Sequence, residues 1–225
     1  MLAGVDRIQL AVTDRRAAAL PFTRLLDATI TAEDAVATLV VRRTTLAVGH
    51  AAIELLEPDG TGPVADHLAA AGPGLFAAGF AVRDLDALRH RLIERRVDFA
   101  EADDQLFLTA AATGGTGLRC VLSPLRDGPA APGLITHLYE VTNLVADWEA
   151  AAARYRELFD LVPEHFCPIA SSEFGYRGTL TMFDPRDRLD RIECVTPHDR
   201  DKTMGRFFTR QIGRASCRER VYVLV

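Results

Sequence analysis

Val5-Asp6-Arg7-Ile8-Gln9-Leu10-Ala11-Val12-Thr13-Asp14 is the stretch on which the fold turns. It reads as a short strand of apolar and β-branched residues ending at a valine, with a capping residue, Asp14, behind it and a helical period from about Arg15 to Leu26. The succession returns in Gly74-Leu75-Phe76-Ala77-Ala78-Gly79-Phe80-Ala81-Val82-Arg83-Asp84, with a helix from about Leu85 to Arg95. It returns again in Leu134-Ile135-Thr136-His137-Leu138-Tyr139-Glu140-Val141-Thr142-Asn143, where Asn143 takes the capping role and Asp147 to about Phe159 the helix. Trp148, Ala151, Ala152, Tyr155, Leu158 and Phe159 share one face of that helix, a stripe that belongs to a core.

Short strand-like runs follow each helix. They are Ala37–Val41, Thr45–Val48 and Ala52–Leu56 in the first copy, Leu106–Thr109 and Leu118–Leu122 in the second, and Gly178–Phe183 and Arg191–Val195 in the third. Gly, Pro and Asp stand between them, as turns require. The expected fold class is α+β, built of repeated βαβββ modules, each with a sheet face that must be covered by a neighbouring copy.

The 225 residues suffice for two domains. Hydrophobic residues make up 48% and charged residues 25%, with a net charge of −5 and no basic stripe interleaved with aromatics, so nucleic acid is not an expected partner. No apolar run reaches the roughly 20 residues that span a bilayer, which excludes a membrane partner of that kind. The start lacks the features of a signal peptide, and Cys120, Cys167, Cys194 and Cys217 show no close pairing. Reduced thiols in a cytoplasmic protein are the expectation.

The strand–helix–three-strand order, together with Ile53-Glu54-Leu55-Leu56-Glu57-Pro58 closing the first copy, resembles the vicinal oxygen chelate superfamily. That group includes glyoxalase I, methylmalonyl-CoA epimerase, extradiol dioxygenases and bleomycin-resistance proteins. The resemblance runs over about residues 4 to 211 and is strongest, toward the epimerase and glyoxalase branch, from Ile53 to Val82. It implies that two modules pair into a cup around one divalent metal. The ligands would be a His on the first strand and a Glu on the last strand of a module.

Carried over, the resemblance puts Arg7 and Glu54 at these positions in the first module, and Ala77 and a residue at or near Cys120 in the second. That set does not make a competent site. Arg7 would instead pair with Glu54 inside a cup that holds no metal. In the third module the positions fall on His137 and Glu193, a pair that suits Fe, Mn, Zn, Co or Ni without choosing among them. A lone strand histidine is as compatible with packing as with ligation. A mid-strand glutamate among Ile, Cys and Val is harder to place, since burying an unpaired carboxylate is costly. Tyr139, Phe174, Tyr176 and Arg177 are the candidates to line a substrate cup beside His137. His165 and Cys167 lie in the loop after the third helix without metal spacing, and His50, His67, His90 and His198 fall on turns and helices.

The expected organisation is a first domain over residues 1–128, the first half of a second over 129–211, and a tail, 212–225, whose string Ile212-Gly213-Arg214-Ala215-Ser216-Cys217-Arg218-Glu219-Arg220-Val221 reads as non-native. The resemblance implies a divalent-metal-dependent dioxygenase, isomerase, epimerase or lyase acting on a small oxygenated molecule. The alternative it leaves open is a metal-free binding protein of the bleomycin-resistance type. A homodimer would complete the cup of the third module.

Overall fold

The computed structural model describes residues 1–184, 189–212 and 220–224. The first module runs β1 (Leu2–Ala11), α1 (Arg15–Leu26), β2 (Thr29–Val36), β3 (Val41–Val48) and β4 (Ala51–Pro58), and α2 (Pro63–Ala71) leads out of it. The second repeats the order as β5 (Gly74–Val82), α3 (Leu85–Glu94), β6 (Ala100–Ala102), β7 (Gln105–Leu108) and β8 (Cys120–Pro124). The third gives β9 (Glu140–Leu144), α4 (Trp148–Phe159), β10 (Phe166–Ser171), β11 (Tyr176–Met182) and β12 (Arg191–Pro197), followed by α5 (Thr203–Ile212) and β13 (Arg220–Leu224).

One rule orders all three modules: the first strand pairs parallel with the last, β1 with β4, β5 with β8 and β9 with β12. The first two modules then join through the antiparallel pair β1–β5 into a curled eight-stranded sheet, β2-β3-β4-β1-β5-β8-β7-β6. The third forms a five-stranded sheet, β10-β11-β12-β9-β13. β13 lies antiparallel on the edge of β9 that corresponds to the one β5 occupies on β1. The expectation of a non-native tail falls mainly on residues 213–219 and 225, which lie outside the described residues.

The helix inside each module starts on an aspartate. Asp14 accepts from the backbone N–H of Arg16 and Ala17, Asp84 from that of Ala87 and Asp147 from that of Ala150. Asn143 is therefore not a cap. It is buried within β9, and the strand expected over Leu134–Asn143 is confined to Glu140–Leu144, preceded by an isolated bridge between Leu138 and Val5. β2 falls where no strand was expected, because seven of its eight residues are exposed and give no apolar pattern. Ala37–Leu39, read as strand, is a short 3-10 turn. Among the described residues no helix is long and apolar enough to cross a membrane.

The main core lies on the helix side of both sheets and joins them. Phe80 of β5 meets Phe159 of α4 at 6.2 Å between ring centroids and Phe183, just after β11, at 5.8 Å. A polar seam runs through the same layer. The Tyr155 hydroxyl donates to Thr116 Oγ1 at 2.6 Å, and the Asn143 amide donates to the Thr116 carbonyl at 3.1 Å and to the Tyr155 oxygen. Burial pushes the Tyr155 hydroxyl well above its ordinary range, so it stays a donor. A second, smaller apolar cluster lines the concave face of the eight-stranded sheet.

We expect Tyr155→Phe to cost about 1–3 kcal/mol, since Thr116 and Asn143 lose their shared partner in a buried place. Phe80→Ala should cost about 3–5 kcal/mol by emptying the junction of the two sheets. Urea denaturation measures both. An unchanged midpoint for Tyr155→Phe would show that the seam does not stabilise the junction.

Candidate functional site

The concave face of the first cup is closed by charge. On β1, Arg7 and Gln9 point to one side of the strand, and the parallel register sets Gln9 beside Glu54 of β4. Arg7 Nη1 donates to Glu54 Oε1 at 2.8 Å, so the expected ion pair is present. Gln9 Nε2 donates to Glu54 Oε2 at 2.8 Å, and Arg43 Nη1 lies 3.4 Å from Glu54 Oε1. Arg43 is held in turn by Asp34 and Gln105. Asp6 braces the other edge of Arg7, at 3.1 and 2.9 Å. Burial works against the Arg7 charge, but Asp6 and Glu54 more than offset it and hold the guanidinium above its ordinary pKa. Gly79 makes room for this arrangement: a Cβ there would stand 2.0 Å from Arg7 Cγ.

In the second module the register corrects one residue. Ala78 pairs with Cys120 and Gly79 with Val121, so Val121 is the one on the concave face. Cys120 faces the main core, where burial pushes its thiol far up and makes it a poor thiolate ligand. A one-residue shift turns a strand side chain to the other face. Ala77 does lie on the concave face, as expected.

The third module also departs from the expectation. Arg7 precedes its cap Asp14 by the same number of residues as Glu140 precedes Asp147, and β9 pairs Glu140 with Arg191 and Thr142 with Glu193 as β1 pairs Arg7 with Ala52 and Gln9 with Glu54. Glu140 thus takes the inward position that the sequence reading gave to His137. His137 lies before β9, exposed, with Thr136 Oγ1 3.0 Å from its Nδ1 and the Tyr139 ring 6.1 Å away. It does not share the register of Glu193. The first-strand histidine implied by the resemblance led the reading to His137, and counting seven residues back from the cap Asp147, as Arg7 stands from Asp14, would have led to Glu140.

Glu193 and Glu140 converge on one hydroxyl. Thr142 Oγ1 stands 2.5 Å from Glu193 Oε2 and 3.1 Å from Glu140 Oε1. A hydroxyl carries a single proton, so both contacts are satisfied when one carboxyl is itself protonated and donates. Desolvation raises the Glu193 pKa first, and the Glu140 charge raises it further, against the pull of Thr142 and Arg191. Arg191 is bound to Glu140, Nη2 to Oε2 at 2.5 Å, and its guanidinium lies 4.9 Å over the Tyr139 ring. Tyr176 joins this face: burial raises its hydroxyl pKa, and Glu193 and Glu140 raise it further. Arg177 registers with Thr196, whose hydroxyl accepts from the first turn of α4, and so belongs to the helix side. Phe174 is exposed in the turn before β11. Of the four expected cup-lining residues, Tyr139 and Tyr176 lie beside the acidic pair. Among the described residues no group of three or more His, Cys, Asp or Glu could hold a metal ion.

No family model matches the chain, and no curated protein matches it. Among solved structures, a variant of 4-hydroxymandelate synthase from Streptomyces coelicolor is 16% identical, with a TM-score of 0.68, covering 93% of this chain and 68% of that one. Methylmalonyl-CoA epimerase from Mycobacterium tuberculosis is 25% identical over 56% of this chain and 90% of its own, with a TM-score of 0.49. The synthase likeness extends over both sheets and is one of fold. The repeated module, the parallel pairing of first and last strands and this likeness together bear out the expected α+β fold of repeated βαβββ modules, shared with the synthase.

Proposed function

We propose that the chain belongs to a metal-dependent enzyme acting on a small oxygenated substrate, with its working site on the concave face of the second sheet around Glu193 and Glu140. The observation that carries this reading is the convergence of two buried carboxylates on Thr142 with one arginine to balance them. Such a pair is strained electrostatically and is relieved by a proton or a cation. Its oxygen donors fit a hard or borderline divalent ion such as Mn, Fe, Zn, Co or Ni. Glu193 and Glu140 would hold the ion, in place of the His137–Glu193 set read from the sequence, and the remaining donors would come from substrate or from a further module facing β9. When bound, the ion would stabilise negative charge developing on substrate oxygens.

The residues of the chain supply the rest. Glu193 is either a ligand, and then ionised, or, with only Glu140 on the ion, the acid that would carry a proton to or from a substrate oxygen, the role its raised pKa suits. Arg191 fixes Glu140, and Tyr139 stacks on Arg191 and holds it in place. Tyr176 offers a neutral hydroxyl toward the same face. Dioxygenation, isomerisation or epimerisation, and lyase chemistry all draw on such a set. The first cup is proposed to be metal-free, since Arg7 already neutralises Glu54.

Three outcomes test this. Cobalt(II) added to chelator-treated protein should bind and give visible ligand-field absorption, lost in Glu193→Gln and in Glu140→Gln. No binding to the wild type would leave the pair a proton-sharing device and end the metal reading. Because the Glu193 pKa is raised on folding, the wild type should lose stability relative to Glu193→Gln as pH climbs from about 4.5 through the folded value. The melting-temperature difference should therefore vanish below about pH 4 and favour the variant at neutral pH. In the first cup, Arg7→Met should cost about 3 kcal/mol by stranding Glu54, and Arg7→Met/Glu54→Gln should recover most of it in urea denaturation.

A further inference from the structure

At the end of the first cup where β1 and β4 begin and β5 and β8 finish lies a cavity of about 670 Å³, none of whose walls comes from the second sheet. Asp6 and Arg7 form its inner wall, and 17% and 14% of their side-chain surface is open, so a molecule in the cavity can touch both. The side walls are small residues, Ala47, Ala52 and Ala81. The exposed rim carries Arg83, Arg126 and Asp127. The linker that begins at Arg126 is strapped to the turn between β3 and β4, where His50 N–H donates to the Thr136 carbonyl and Ala131 N–H to the Gly49 carbonyl, both at 2.8 Å.

The charges of the inner wall do not close. Three carboxylates, Asp6, Asp34 and Glu54, are joined through two guanidinium groups, Arg7 and Arg43. Asp6 has the least support: both its oxygens turn to Arg7, at 3.1 and 2.9 Å, and Arg7 is shared with Glu54. A carboxylate offers about four lone-pair sites, so Asp6 keeps acceptor capacity. Burial pushes its carboxyl above the ordinary range even beside Arg7. A cationic donor is what this wall lacks. The rim has the opposite surplus, two arginines to one aspartate. Arg83 gives its Nη2 to the Asp184 carbonyl, while Arg126 makes no ion pair among the described residues. Asp6 Oδ1 lies 2.7 Å from where a Cβ on Gly79 would stand, and Pro124, two residues before Arg126, registers with Val82, three residues along β5 from Gly79. That offset is roughly 10 Å, so a molecule that meets both groups needs its cation and its acid several bonds apart.

We propose that this cavity binds a short linear amino acid whose amine and acid stand at opposite ends of the chain. The ammonium donates to Asp6, the methylene groups lie along Ala47, Ala52 and Ala81, and the carboxylate meets Arg126. The site needs no metal and does not depend on the reading of the second sheet.

The test uses 4-aminobutyrate, butyrate, butylamine and glycine, titrated calorimetrically into the full chain dialysed free of metal. 4-Aminobutyrate should bind about tenfold more tightly than butyrate, which lacks the ammonium, and than butylamine, which lacks the acid. Glycine, too short to span the two groups, should bind no better than either. Asp6→Asn should bring 4-aminobutyrate down to the affinity of butyrate, and Arg126→Met to that of butylamine. Glu193→Gln should bind 4-aminobutyrate as the wild type does, which separates this site from the second. No saturable binding, equal affinity for 4-aminobutyrate and either single-ended compound, or binding unchanged in Arg126→Met would each overturn the proposal. Should Asp6→Asn not fold, the ligand comparison and Arg126→Met, at an exposed position, decide alone.

Discussion

A carboxylate in the middle of a buried strand has to be balanced, and much of the molecule is arranged around that need. The parallel pairing of first and last strands places Glu54 and Glu193 at equivalent points, each beside a polar residue of the first strand. The two modules then part company. In the first, the balancing cation is on the first strand: Arg7 reaches Glu54, with Arg43 behind it. In the third, the first strand carries a second acid, and the arginine has moved to the last strand, where it is occupied by Glu140. The sign of one residue on the first strand thus separates a cup whose carboxylate is paired with an arginine across the sheet from one in which two carboxylates share a single hydroxyl.

The helix side of the sheets answers a different need. Phe80, Phe159 and Phe183 meet where the two sheets come together, and Tyr155, Thr116 and Asn143 thread hydrogen bonds through the same apolar layer. Asn143 therefore holds a structural post one residue along the strand from Thr142, which belongs to the acidic pair. Alternation along β9 lets one short strand serve both faces, with Thr142 turned to the site and Asn143 to the seam.

The architecture was largely legible in the sequence because it rests on periodicity and caps. The three helices and the strands closing each module follow from apolar spacing and from the aspartates ahead of the helices. Edge strands were not legible: β2 is almost wholly exposed, and β10 contains Pro168 and no buried residue, so neither carries a burial pattern. The site was legible in part. Glu54 and Glu193 lie on the closing strands of their modules, facing the first strands, while the histidine that the resemblance implies drew the reading to His137, three residues before Glu140. Cys120 was misplaced for a related reason, since an apolar run such as Leu118–Leu122 does not reveal which of two neighbours faces the cup.

Gly79 sets the shape of the first cup. The Arg7 side chain lies where a Cβ on Gly79 would be, and the same arginine is gripped by Asp6 on one side and Glu54 on the other. A histidine at position 7 would leave a void over Gly79 and strip Asp6 of its partner, while Gln9 and Arg43 would still hold the Glu54 oxygens. Arg7 is thus fitted twice over, by shape above Gly79 and by charge between Asp6 and Glu54, so position 7 couples the packing of the sheet to the charge balance of the cup.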